Sequence, residues 1–375
     1  MRVAEVARID FESRSACSLK LCGSWRYSLD PSTEVLCLAY RLPYWDAGRV
    51  DLWAPAFPQC GLAETFDPSL GEMFDWIEAR LLVEAHNAFF ERGIWQNIMM
   101  PKSGWPPILG AQWRCSAAKV AAHALPRSLD DASAALGLRI RKDLVGAKVM
   151  MKMNKPRKPR KAEREAGVTG LLWWETADLF QQLFAYCRQD VLTEEAVSRA
   201  LPDLSDDEQA LYALDQTINE RGFRLDRIGI HSALRLIEEE STRLNGELAR
   251  LTGGAVTKAT QRAKLSRWLQ GEGLYLADTQ AATLDAYLAP ESQTPLPGAT
   301  RRALEILRAL GRSSTAKYEA MANHICPDDR VRGGLLFHGA STGRWTGSGI
   351  QPHNLPKGVI KGFSMEQVWD HLCSI

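Results

Sequence analysis

The chain has 375 residues, of which 45% are hydrophobic and 24% charged, and its formal net charge is +1. That length allows two domains with substantial cores, and that balance excludes a disordered chain or one that gathers nucleic acid through bulk charge. No apolar run reaches eighteen residues, no signal-peptide pattern opens the chain, and the eight scattered cysteines form no Cys-x-x-Cys pair, so no membrane span, zinc site or disulfide scaffold is expected, and reduced thiols in a cytoplasm are.

The first predicted element is a strand over Val3–Phe11. Strand side chains alternate between faces, so Asp10 and Glu12 point to the same side. Two carboxylates at that range repel each other unless a cation lies between them, and an all-oxygen pair suits Mg²⁺ or Mn²⁺. Glu34–Leu42 and Arg49–Trp53 read as further strands, separated by Pro31, Pro43 and Gly48. Pro68–Leu81 has a helical pattern. A short apolar run, Leu81–Ala85, then leads through His86 into a helix over Ala88–Met99, with Asn87 as its N-cap. Glu91 falls in the first turn of that helix, either as a partner of the helix dipole or facing a metal. Strands first, then strand and helix in alternation, predict an α/β fold with a mixed sheet.

Trp113–Leu138 reads as two short helices broken at Pro126, with Ser128 or Asp130 capping the second. In Lys152–Arg164, seven of thirteen residues are Lys or Arg, interleaved with Pro156 and Pro159. The expectation for residues 152–166 is a flexible, solvated surface loop able to touch phosphates. Asp178–Leu201 is a strong helix in which Tyr186 and Asp190 lie one turn apart on one face. A domain boundary is expected at Pro202–Asp207. Long amphipathic helices follow over Glu208–Gly222 and Ile228–Leu251, then a helical region to Ile325. The closing segment Phe337–Gly358, FHGASTGRWTGSGIQPHNLPKG, is rich in Gly, Ser, Thr and Asn and carries Arg344, Gln351 and Asn354.

The ordered set Asp10/Glu12, Asn87 through Glu91, and Tyr186/Asp190 resembles the motifs of the DEDD proofreading 3′–5′ exonucleases, in the variant whose third motif is Tyr-x-x-x-Asp. The tail GASTGRWTGSGIQPHNLP resembles the thumb-to-palm segment of family A DNA polymerases of phage and prophage type. The resemblance implies a ribonuclease H-like exonuclease domain over residues 1–201, then a mostly helical thumb and the beginning of a palm over 202–375. It implies that Asp10, Glu12 and Asp190 are ligands of two Mg²⁺ or Mn²⁺ ions and that Tyr186 positions the attacking water. Glu91 stands where the family pattern has Asp, and its extra methylene displaces the carboxylate. Asn87, Arg344, Gln351 and Asn354 are implied to face DNA, with Arg344 in the minor groove at a primer end.

The partners implied are single-stranded or frayed DNA 3′ ends and primer–template duplex, in a bacterial or phage-infected cytoplasm, with no membrane. No Asp-Tyr-Ser-like or His-Asp-Glu segment occurs, so nucleotide incorporation would require a second polypeptide with the rest of palm and fingers. Two other readings are open at this level: an RNase D-like exoribonuclease, which shares the acidic motifs, and a DNA-binding polymerase remnant without catalysis.

Overall fold

The computed structural model describes residues 5–65, 69–290, 292, 295–311, 315–355, 362, 364, 366–368 and 370. Five strands form one mixed sheet: β1 (Val6–Arg14), β2 (Glu34–Arg41), β3 (Asp51–Trp53), β4 (Leu82–Ala85) and β5 (Trp113–Cys115), in the order β3-β2-β1-β4-β5. β2 runs antiparallel to both β1 and β3, whereas β4 is parallel to β1 and β5. β1 is therefore the central strand. Its pairing with β2 slips between Glu12 and Ser13, a bulge just past the second carboxylate.

The helices follow in chain order: α1 (Leu19–Ser28), α2 (Ser69–Glu78), α3 (Phe89–Ile94), α4 (Met100–Ser103), α5 (Ser116–Ala122), α6 (Leu129–Ala135), α7 (Leu144–Met153), α8 (Lys161–Glu165), α9 (Ala177–Arg199) and α10 (Asp206–Arg221). Ser128 caps α6 and Ser205 caps α10, each accepting a backbone N–H three residues on. Residues 88–99 are not one continuous α-helix. α3 ends at Ile94, and a wider π turn spans Trp95–Met99.

The alternation along β1 sorts its side chains into two layers. Ala7, Ile9 and Phe11 pack into a core with Trp53, Trp95 and Trp105, where the Phe11 and Trp95 rings lie 4.8–6.3 Å from Trp105. Arg8, Asp10 and Glu12 take the opposite face, toward α9. That helix buries Phe180, Leu183, Phe184, Cys187 and Val191 against Cys37 and Ala39 of β2, a stripe at helical spacing. Buried ion pairs tie the same layers: Arg8 to Glu84 at 3.1 Å and Arg41 to Glu195 at 2.9 Å. α7 crosses α9 at Gly146, where an added Cβ would stand 2.6 Å from the Tyr186 Cβ. Gly146→Val is therefore expected to push the two helices apart, at a cost of about 1–3 kcal/mol. Thermal unfolding would show this as a Tm lower by several degrees, and an unchanged Tm would mean that the crossing yields freely.

The basic run is not the unsupported loop its composition predicts. Its first residues finish α7, Arg157 forms a β-bridge with Leu172, and the Arg157 guanidinium grips Glu163 of α8 through two bonds of 2.7 and 2.5 Å. Local pairing supplies the order that a hydrophobic core would otherwise give.

The chain divides into two compact units, 1–225 with 323–354, and 226–322 with 355–375. The division falls at Leu225/Asp226. The reason is that α10 belongs to the first unit: Tyr212 lies in the main core, and Glu220 pairs with the buried Arg92 at 2.5 Å. Residues 323–354 return to that unit as β7 (Arg330–Val331), which pairs with β6 (Phe223–Arg224), and as the hairpin β8 (Leu335–Leu336) and β9 (Thr346–Gly347). The second unit is helical: α11 (Arg227–Leu251), α12 (Arg262–Gly271), α13 (Ala281–Leu288), α14 (Gly298–Leu310) and α15 (Ala316–His324), with a core of Leu244, Leu248, Leu265, Leu304 and Leu307. No helix among the described residues is long and apolar enough to cross a membrane.

Candidate metal centre

A cleft of about 960 Å³ opens in the first unit, and Asp10, Glu12, Asn87, Glu91, Tyr186 and Asp190 all line it. Three separate segments deliver the acids: β1 carries Asp10 and Glu12, α3 carries Glu91, and α9 carries Asp190.

Asn87 is not the helix cap that its type suggests. It takes a left-handed conformation, φ +69°, which Asn tolerates, and its carbonyl accepts the Phe90 N–H at 2.9 Å. Ala88 holds the cap position without a side-chain bond. The turn redirects the chain from β4 into α3, so that Glu91 lies buried on the cleft wall.

The acids crowd one another. Burial, then the neighbouring Asp190, pushes the Asp10 carboxyl up to about 7. Burial and Asp10 push Glu12 and Glu91 well above the usual carboxylate range, and burial raises Asp190 too. Two of their oxygens, Oε2 of Glu91 and Oδ1 of Asp190, are buried without a hydrogen-bond partner among the described residues. A buried carboxylate oxygen left unpaired costs free energy that a cation would recover. The donor set is oxygen-rich and fits a hard divalent ion.

Two neighbours escaped the reading of the sequence. Lys142, just before the Asp143 cap of α7, places its Nζ 2.8 Å from Asp190 Oδ2 and 5.1 Å from the Tyr186 ring centroid. Cys187 lies within 4.8 Å of Asp10 and Glu12 by ligand atoms, and its thiol contacts the Asp10 carbonyl and carboxylate oxygens at 3.3 and 3.4 Å. Burial holds that thiol protonated in the metal-free chain, where it donates to Asp10. Its place next to Tyr186 was the only signal in the sequence. Lys142 gave none beyond a basic residue before a capping Asp.

Tyr186 lines the same cleft one helical turn before Asp190. Burial, then the Asp190 charge, raises the Tyr186 pKa, so its hydroxyl stays a neutral donor.

Arg344, Gln351 and Asn354 do not line the cleft. Arg344 is exposed in the β8–β9 turn, and the exposed Asn354 donates to Gln351 Oε1 at 3.2 Å. The tail's last three residues, 356–358, lie outside the described residues.

No protein-family model matches the chain. Over 356 residues it is 30% identical to a DNA polymerase of Bacillus phage SP02, a match that takes in 94% of this chain and 51% of that polymerase. The chain thus spans about half the length of that relative. Among solved structures it is similar to the POL domain of Pol1 from M. smegmatis in complex with DNA primer-template and dNTP, with a TM-score of 0.48 and 12% identity, covering 93% of this chain and 53% of that one.

Proposed function

We propose that this chain is a metal-dependent 3′–5′ exonuclease acting on single-stranded or frayed DNA ends, in a polymerase I-like protein of DNA replication or repair. The observation that carries the reading is the convergence of Asp10, Glu12, Glu91 and Asp190 in one cleft, with two buried carboxylate oxygens unpaired. The central acidic strand of a mixed sheet supports a ribonuclease H-like frame for it. The similarity to a phage DNA polymerase along 94% of the chain supports DNA as the substrate.

Asp10, Glu12 and Asp190 would hold two Mg²⁺ or Mn²⁺ ions, with Glu91 a direct or outer-sphere partner. Such a pair of ions clamps a scissile phosphate and acidifies the attacking water. Tyr186 supplies a neutral hydroxyl at Asp190 to orient that water. Tyr186→Phe is expected to lower turnover by about 10–100-fold, in the range of a positioned hydrogen-bond donor, and to leave Mn²⁺ affinity within twofold. A large loss of affinity, read by calorimetry, would contradict this role. Arg344, Gln351 and Asn354 are the proposed duplex contacts of the tail, and the exposure of Arg344 and Asn354 leaves them open to a minor groove.

One observation favours a second reading, a DNA-binding protein without nuclease activity: the Lys142 ammonium already supplies a cation to Asp190. Incubation with 5′-labelled single-stranded DNA, with Mg²⁺ and with EDTA, separates the two. Stepwise shortening from the 3′ end, abolished by EDTA, is expected. Internal cuts, cleavage in EDTA, or faster cleavage of an RNA oligomer would overturn the proposal.

A further inference from the structure

The chain's net charge is +1, yet Lys152–Arg164 concentrates seven cations, and the structure fixes where they stand. The Asn154 carbonyl accepts the Ser15 N–H at 3.3 Å, which pins the segment to the chain just beyond β1, three residues past Glu12. Asn154, Lys155 and Pro156 then line the cleft that holds the acids. From there the segment is held by the Arg157–Leu172 bridge and the Arg157–Glu163 pair.

Around that pin, three cations gather on one ring. Lys152 Nζ lies 4.7 Å, Arg160 Cζ 5.2 Å and Arg157 Cζ 5.4 Å from the centroid of Trp174. Glu163 pairs with Arg157 and accepts the Arg160 backbone N–H, so one carboxylate faces three cations. Like charges held this close repel one another and create a strong local demand for an anion. Lys155 and Lys158 are exposed, and neither ammonium forms an ion pair among the described residues.

We propose that Lys152–Arg164 is a cationic ledge that holds the sugar–phosphate backbone of a single-stranded DNA end as it enters the cleft. The inference rests on the exonuclease reading for its substrate. Its physical need is independent: a polyanion approaching Asp10 and Glu12 meets like charge, and fixed cations at the mouth offset that repulsion. A ledge made of side chains on an ordered backbone loses less conformational entropy on binding than a floppy basic tail.

The test measures binding apart from chemistry. Fluorescein-labelled dT20 is titrated with wild type, Lys155→Ala/Lys158→Ala and Lys152→Ala/Arg160→Ala, in EDTA, at several salt concentrations. Each pair is expected to weaken binding about tenfold. Each should also reduce the slope of log K against log salt by about 1.4, since each phosphate contact on a single strand contributes about 0.7. In the Lys152→Ala/Arg160→Ala pair, whose residues lie outside the cleft lining, hydrolysis of thymidine 5′-p-nitrophenyl phosphate, too short to reach them, should stay within twofold of wild type in Mn²⁺. Unchanged affinity and slope in both pairs would overturn the ledge. An equal loss of affinity for a blunt 20-base-pair duplex would do so too, marking a general polyanion surface. Absence of hydrolysis of both long and short substrates by wild type would sink the exonuclease reading instead and leave the ledge to be judged by the binding titrations.

Discussion

Replacing Asp10 or Asp190 by alanine is expected to slow 3′-end shortening by at least about 10³-fold, since each removes a ligand from the cluster that would hold the charge-stabilising ions. The two sites reach the cleft from β1 and from α9, 180 residues apart in sequence, so a shared loss would tie both segments to one centre. Groups that act as a unit are not additive, and the double variant should lose little more than either single one. The two changes differ in their effect on folding. Asp190→Ala removes the partner of Lys142 and leaves a partly buried ammonium without its ion pair, so Asp190→Asn is the better control for stability. Single-turnover rates on 5′-labelled DNA decide the matter. Activity within tenfold of wild type in Asp190→Ala would show that the third acidic segment is not part of the centre.

Asp10→Asn should make the metal-free protein more stable at pH 8 and change it little below about pH 4. The Asp10 carboxyl is pushed up to about 7 in the folded chain, chiefly by burial and then by Asp190, against about 3.9 when unfolded. Between those values the folded state holds the proton more tightly than the unfolded one. Stability therefore falls as pH rises through that window and stays reduced above it. Asparagine keeps the shape and cannot ionise, so it escapes the penalty. Each kcal/mol recovered is worth about 2–4 °C in Tm. Mn²⁺ should raise the Tm of the wild type at pH 8, because an ion that binds only the folded state stabilises it, and should do much less for the variant. A variant no more stable than wild type at pH 8, measured in EDTA by calorimetry, would show that Asp10 is not under strain. Activity and stability then pull in opposite directions at this residue, as expected where a site holds charges together for a ligand.

The face shared by Asp10 and Glu12 was legible in the sequence because strand alternation is local and strict. So was the shared face of Tyr186 and Asp190, which needs only one helical turn and turns both toward the cleft. Asn87 was misjudged because residue type favours a cap, while the redirection from β4 into α3 demanded a left-handed turn at that position. Lys142 was invisible for another reason. It meets Asp190 across 48 residues, and nothing in composition says which of the neighbouring cations, Arg139, Arg141 or Lys142, will face the acids. The basic run misled in the opposite sense. Its charge density predicts solvation, and only pair contacts such as Arg157 with Glu163 show how such a segment stays ordered. Pro202–Asp207 has the composition of a linker, yet α10 beyond it packs on the first core through Tyr212.

The split of the first unit bears on how the chain comes off the ribosome. Phe337 belongs to the same core as Ala7 and Ile9, so that core cannot close until the helical stretch between has been made. The sheet's last strand ends at Cys115, and at about 5–20 residues per second the segment from there to Phe337 takes roughly 10–40 s to synthesise. During that interval the five strands exist without their final apolar cover, while the 226–322 helices, whose contacts are close in sequence, fold quickly. A nascent chain arrested before residue 323 should therefore show a protease-resistant helical unit and a protease-sensitive sheet. Low growth temperature or a holding chaperone should raise the yield of full-length protein.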